Sequence, residues 1–354
     1  MSKGTMWSRR WLRFIAGGCA LLLLLAAGAW LYVAGIDTRH SGGDPQAQRS
    51  DLAWLVDASP APRGRILAVV SSRERMLDGE GRAGYELTEL SRAWWVFEAA
   101  GYAVDVASPE GGAAPRVVDD DLVDADYAFL NDPATRAKID STQRLDALQA
   151  GDYAAVYIVG GKGAMLDLYG SPVLQRLIAD IYRNGGVVAA VCHGPAALLG
   201  VEIAPGRSLL SGRRVTGFSN AEELFLMEDP VQRLGFLLQD ALAAEGEFVE
   251  GPMYLENVVQ DGRVLSGQNP WSTWALAEAT VRALGAEAAA RPRSSEERAV
   301  DLLALMARDG GAAARAAKPA MAPVDNYLLL MHAVIAGMQG EAGRAVALLR
   351  LARA

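Results

Sequence analysis

The sequence predicts an α/β protein in which a mostly parallel sheet is covered by helices on both faces. Three observations carry that prediction. Short apolar, β-rich runs at 65–71, 102–107, 154–159 and 187–191 alternate with segments of helical spacing, the order that builds parallel sheets. The last two runs end in Gly160-Gly161-Lys162-Gly163 and Cys192-His193-Gly194-Pro195, at strand ends of the kind where such sheets bind ligands. The stretch GVVAAVCHGPAAL from Gly186 then reads as strand, sharp turn and helix start with a thiol at the turn, the cysteine form of a nucleophile elbow.

In chain order, Lys3, Arg9, Arg10 and Arg13 precede 23 uncharged residues, Phe14 to Ile36. At about 1.5 Å per residue that run is long enough for a hydrocarbon core of roughly 30 Å. Trp7, Trp11, Trp30 and Tyr32 sit near its ends, as interfacial aromatics do. The segment is therefore expected to be a membrane anchor with residues 1–13 in the cytoplasm, which places the rest of the chain outside it, on the inner membrane as a single-pass protein. A cleaved signal peptide and a buried core helix are the alternatives. Residues 37–63, rich in Gly, Pro, Ser and Asp, read as a linker with a short helix near Asp51 to Val56.

The domain expected over 64–290 opens with the strand at 65–71. Leu87, Leu90, Trp94 and Phe97 give the segment 86–100 one apolar helical side, stopped by Gly101 before the strand Tyr102–Ala107. A helix is expected near Thr135–Gln149, the third strand at 154–159 and a helix over Val173–Arg183, stopped by Asn184-Gly185-Gly186. After the elbow come strands at 214–216 and 264–266 and a helix over Trp271–Leu284. From 291 the composition turns to Ala, Arg, Leu and Met. Ser294 and Glu297 suit a capping box for a helix to about Ala307, and 325–338 and 341–352 read as two more amphipathic helices. This extension, 291–354, carries no evident chemistry, and His332 among Leu328–Leu330, Met331 and Val334 reads as structural.

Composition limits the function. The chain has 354 residues, 51% hydrophobic and 21% charged, with a net charge of −8, which argues against a nucleic-acid partner. Its two cysteines are Cys19, inside the apolar run, and Cys192, so Cys192 is expected to be a free thiol. A thiol reacts as its thiolate, and the helix after the elbow is expected to lower its pKa. Of three histidines, His40 lies in the linker and His332 in the tail. A Cys–His pair in the domain must therefore use His193. A distant catalytic histidine and a His-rich zinc site both lack the residues they need. Other acid/base groups must be carboxylates, and Glu86 and Glu89 begin the helix that faces the same sheet edge.

At this point the sequence resembles a known family. AAVCHGPA, the GGKG loop at 160–163, TGFSNAEE at 216–223 and DGRVLSGQNP at 261–270 are similar to the PfpI-type, class I glutamine amidotransferase-like superfamily. Within it, these motifs and ELTELSRAWWVFEAAGYAVDVASP at 86–109 look like the heat-shock-chaperone branch with its glutathione-independent glyoxalases. The resemblance spans roughly residues 65–287. It implies a flavodoxin-like three-layer sandwich with Cys192 as nucleophile, His193 as its partner and Glu89 as the carboxyl beside the thiol. Gly161 and the N–H after Cys192 would form an oxyanion pocket, with Lys162 and Asn220 on the substrate side.

Two departures accompany the resemblance. Lys162 stands where glyoxalase-type relatives often carry histidine. Some relatives orient their histidine with an aspartate in the segment matching 216–223, where this sequence offers Asn220, Glu222 and Glu223.

The function implied is a membrane-anchored enzyme that converts 2-oxoaldehydes to 2-hydroxy acids with no metal, nucleotide or glutathione. Two other functions stay open: a cysteine amidase or peptidase, and a non-enzymatic holdase or oxidation sensor. The partners expected are a small carbonyl substrate or a damaged protein, the membrane through the N-terminal helix, and a second copy in a homodimer.

Overall fold

The computed structural model describes residues 31–354 apart from His40, Ser41, Asp57, Ser59, Pro60 and Asp120. It divides into two compact units, one of residues 42–294 and one of residues 295–354 with the described part of 1–41.

The larger unit is built on seven strands: β1 Gly64–Val69, β2 Tyr102–Ser108, β3 Gln143–Arg144, β4 Ala155–Ile158, β5 Val187–Val191, β6 Val258–Asp261 and β7 Val264–Gly267. Their order across the sheet is β6-β7-β5-β4-β1-β2-β3. All neighbours pair in parallel except the hairpin β6–β7. Val187 to Val191 are all buried, as a strand covered on both faces requires. Helix α1 Leu87–Ala99 follows β1, α2 Asp124–Asn131 follows β2 and α3 Pro172–Arg183 lies between β4 and β5. Beyond β5 come α4 Asn220–Leu226, α5 Leu238–Glu245 and α6 Thr273–Ala283. The flavodoxin-like, mostly parallel architecture expected from the sequence is the one found.

Helix α1 positions the carboxyl edge of the sheet, and nearly all of it is buried. Its Arg92 and the Asp126 of α2 form an ion pair with neither side chain exposed to solvent. Ser91 also donates to Asp126, and the Trp95 indole donates to the Ala125 carbonyl at 2.8 Å. Edge-on rings continue the contact, Trp94 and Trp95 against Phe129 and Phe97 against Tyr157.

Two local expectations change. The helix expected over 135–149 ends at Asp140, because Thr142 bonds Gly112 through both backbone groups and extends the chain into β3. After Cys192 the chain makes only a five-residue 3₁₀ turn, Gly194–Leu198. Gly194 packs so closely that a Cβ there would lie 2.6 Å from the Ile158 carbonyl oxygen.

The expected membrane helix over 14–36 is also corrected, since among the described residues no helix is long and apolar enough to cross a membrane. Residues 31–34 are helical and Ile36 is buried, while 14–30, with Cys19, lies outside the described residues. The inner-membrane, single-pass placement and the anchored form of the function fall with that helix.

The smaller unit holds α7 Ser295–Asp309, α8 Gly311–Met321, α9 Asn326–Met338 and α10 Ala342–Arg353. The α8 helix was not expected. Lys318 from it donates to the carbonyls of Leu351 and Ala352 at 2.7 and 2.8 Å, closing the end of α10.

Removing one member of a buried ion pair leaves the other charged and unsolvated. Asp126→Ala should therefore lower unfolding stability by about 3–5 kcal/mol in urea titration. A loss below about 1 kcal/mol would mean that the pair does not hold α1 in place.

Candidate active site

The site forms where β4 and β5 end. Cys192 sits one residue past β5 with φ of +58°, a left-handed backbone that non-glycine residues seldom adopt. Two hydrogen bonds hold it there: its N–H donates to the Gly267 carbonyl at 2.9 Å, and its carbonyl accepts from Phe218 N–H at 2.8 Å. Strained residues of this kind persist where the surroundings over-determine them. The thiol is buried and free.

His193 lies beside it, with Nδ1 3.3 Å from Cys192 Sγ and Nε2 2.7 Å from Glu223 Oε2. A carboxylate accepts, so Nε2 carries the proton and Nδ1 presents its lone pair to the thiol. The imidazole and the carboxylate side chain are each only 4% exposed. The Phe218 ring lies against the imidazole at 4.6 Å.

Glu223 is placed by the start of α4. Ser219 caps that helix, and Glu222 returns its carboxylate to the Ser219 N–H and hydroxyl at 3.0 and 2.8 Å. Glu222 also accepts from Gln268, Asn269 and Tyr254 N–H at 3.0, 2.9 and 2.8 Å. Its oxygens are thus fully engaged in tying three loops together, which leaves Glu223 as the carboxylate on the histidine.

Glu89 approaches from the first turn of α1 and is completely buried. Its Oε2 accepts the Gly160 N–H at 2.7 Å, and the Tyr157 hydroxyl donates to its main-chain carbonyl at 3.0 Å. Glu89 and Cys192 flank Gly160, where a Cβ would lie 2.8 Å from the Cys192 Cβ, and the Glu89 carboxyl and the Gly161 N–H both act on the thiol. Both glycines are sterically required. A Cβ on Gly160 would lie 2.5 Å from Glu89 Oε2, and one on Gly161, at φ of +89°, would lie 2.6 Å from the Glu86 nitrogen.

This environment reverses the expected thiol acidity. Burial first, then the charge and hydrogen bond of Glu89 and the charge of Glu222, push the Cys192 thiol well above its ordinary value. The Gly161 N–H acts the other way. The expected lowering relied on a helix dipole, and the 3₁₀ turn after Cys192 supplies no such helix.

Lys162 stands at the edge of this cluster with its ammonium 2.6 Å from Asp119 Oδ2. Asn220 is turned elsewhere: its amide donates to Asp240 and its N–H to Gln239, both at 2.7 Å. The structure thus brings together Cys192, His193, Glu89 and Gly161, places Lys162 beside them, and uses Asn220 to tie α4 to α5. It adds Glu223 and Asp119. The capping box in SNAEE was the available sign for Glu223, since it occupies Glu222. No sequence pattern linked Asp119 to Lys162.

These features define an α/β protein with a buried cysteine at a strand end, flanked by a His–Glu pair and a second carboxyl. The chain belongs to the DJ-1/PfpI family, whose family model matches residues 82–283. It is 32% identical to the glutathione-independent glyoxalase hsp3101 of Schizosaccharomyces pombe, over 63% of this chain and 96% of that protein. Among solved structures it is similar to the Francisella tularensis Rapid Encystment Protein 24 kDa, with a TM-score of 0.59 and 27% identity over 63% of this chain and 99% of that one. It is also similar to glyoxalase III from Candida albicans, with a TM-score of 0.57 and 26% identity over 62% and 97%.

Because Glu89 raises the thiol pKa, removing its charge should lower that pKa and increase the thiolate fraction at neutral pH. Glu89→Gln is expected to speed iodoacetamide alkylation of Cys192 at pH 7 by about threefold or more. Slower alkylation in the variant would show that Glu89 promotes the thiolate instead.

Proposed function

We propose that this chain is a cysteine-dependent, glutathione-independent glyoxalase that converts a 2-oxoaldehyde to a 2-hydroxy acid. The observation that carries the reading is the placement of two separate acid/base groups on one sulfur. His193 Nδ1, held by Glu223, lies 3.3 Å from it, and Glu89 approaches from the neighbouring helix across Gly160. The reaction needs both, since one proton leaves sulfur and another moves between carbons. The similarity to enzymes named as glutathione-independent glyoxalases supports the same reading.

Sγ adds to the aldehyde carbon while the thiol proton passes to His193 Nδ1. The new oxyanion is met by the N–H groups of Gly161 and His193 and by the Lys162 ammonium, and protonation gives the hemithioacetal. Glu89 then removes the hydrogen from the former aldehyde carbon and returns a proton to the adjacent carbonyl carbon, by way of an enediol. The first carbon is oxidised to a thioester and the second reduced to an alcohol, so no outside oxidant or reductant is required. Water cleaves the thioester, releasing the 2-hydroxy acid and restoring the thiol.

Glu223 acts through the imidazole, by fixing its tautomer. Cys192→Ala should abolish lactate formation from methylglyoxal, and Glu223→Gln should lower kcat by about 10²–10⁴-fold. Lactate production that survives the loss of Cys192 would refute the proposal.

A further inference from the structure

Lys162 and Asp119 differ in their surroundings. The lysine side chain is 22% exposed and the aspartate 57% exposed, although their charged ends are 2.6 Å apart. Asp119 belongs to the loop after the short strand Arg116–Val117, and its N–H donates to the buried Glu86 carboxylate at 3.1 Å. Glu86 N–H in turn donates to the Gly160 carbonyl at 3.2 Å. The pair is therefore anchored to the loop that carries Gly160 and Gly161. That loop lies against Cys192, since a Cβ on Gly160 would lie 2.8 Å from Cys192 Cβ and 2.5 Å from Glu89 Oε2, and the charges of Asp119, Cys192 and Glu223 act on the ammonium.

We propose that Asp119 is a positioning residue that holds Lys162 at the mouth of the Cys192 site and makes the site select uncharged carbonyl substrates over anionic ones. The Asp119 end of the pair is open to water, so the carboxylate is not left unsolvated when the ammonium shifts. Lys162 can therefore leave Asp119 for the oxyanion that forms on the substrate. Until then its charge is matched by Asp119, and the remaining groups around the sulfur, Glu89, Glu222 and Glu223, are acidic. A carboxylate-bearing carbonyl meets no unmatched cation on entry. A neutral 2-oxoaldehyde meets no repulsion, and it draws on Lys162 only once its own negative charge develops. Selectivity of this kind arises before chemistry, in how the site receives a charged molecule.

The inference rests on Cys192 being the reacting nucleophile, and its test does not need turnover. Cys192 is alkylated at low ionic strength with neutral iodoacetamide and with anionic iodoacetate, and both rates are read by mass spectrometry of its peptide. The ratio of the rates cancels the thiolate fraction and leaves the charge preference of the site. Asp119→Asn, which frees the ammonium, should shift the ratio toward iodoacetate by about five- to tenfold. Asp119→Ser should do the same. Lys162→Met, which leaves Asp119 unmatched, should shift it toward iodoacetamide. A role in folding alone cannot move the ratio in opposite directions. Shifts in the same direction, or shifts below about twofold in all three variants, would overturn the inference. A wild-type chain that does not turn over methylglyoxal would instead overturn the glyoxalase reading, which the alkylation ratio leaves untouched.

Discussion

The approach of the Glu89 carboxyl to Cys192 across Gly160 is the constraint on which the rest of the site depends. Both acidic groups are buried, and their mutual repulsion together with burial disfavours the doubly ionised state. The thiol is therefore kept well above its ordinary value, by burial first and then by Glu89. A thiol in that condition is a poor nucleophile at rest. In the proposed reaction it becomes reactive when His193 takes its proton and the Gly161 N–H and the Lys162 ammonium meet the charge that forms on the substrate. That proposal couples reactivity to the arrival of a carbonyl.

The fold supplies this contact through absences as much as through side chains. Gly160 has no Cβ, so Glu89 and Cys192 can close over it. Gly161 has none, so its N–H can turn to the sulfur while its backbone rests on Tyr85 and Glu86. Gly194 has none, so the chain leaves the elbow against Ile158. Helix α1 is pinned by the buried Arg92–Asp126 pair. That pair fixes the level at which Glu89 enters.

The parts legible in the sequence were those written in local pattern. Alternating strands and helices gave the parallel sheet, and the scarcity of histidine left His193 as the partner of Cys192. The glycine-rich loop marked the strand end at 160–163. What escaped was set by packing between distant segments. The short turn after Cys192 packs against Ile158 on β4, and it leaves no helix of the kind on which the expected thiol acidity depended. Glu223 reaches His193 only because the capping box turns Glu222 toward Ser219. Asp119 meets Lys162 across 43 residues, a pairing that neither segment announces. The apolar run at 14–36 looked like a membrane span from composition alone, while among the described residues no helix has that length and character.

The central claim is that Cys192 forms a covalent intermediate with its substrate and that Glu89 carries that intermediate forward. The most direct measurement is rapid acid quenching of the Glu89→Gln chain with methylglyoxal, followed by mass spectrometry of the Cys192 peptide. The account expects Cys192 to carry the mass of one methylglyoxal, with almost no lactate released, because addition to sulfur proceeds while the proton shuttle is missing. An unmodified Cys192 peptide, or lactate released at the wild-type rate, would contradict it.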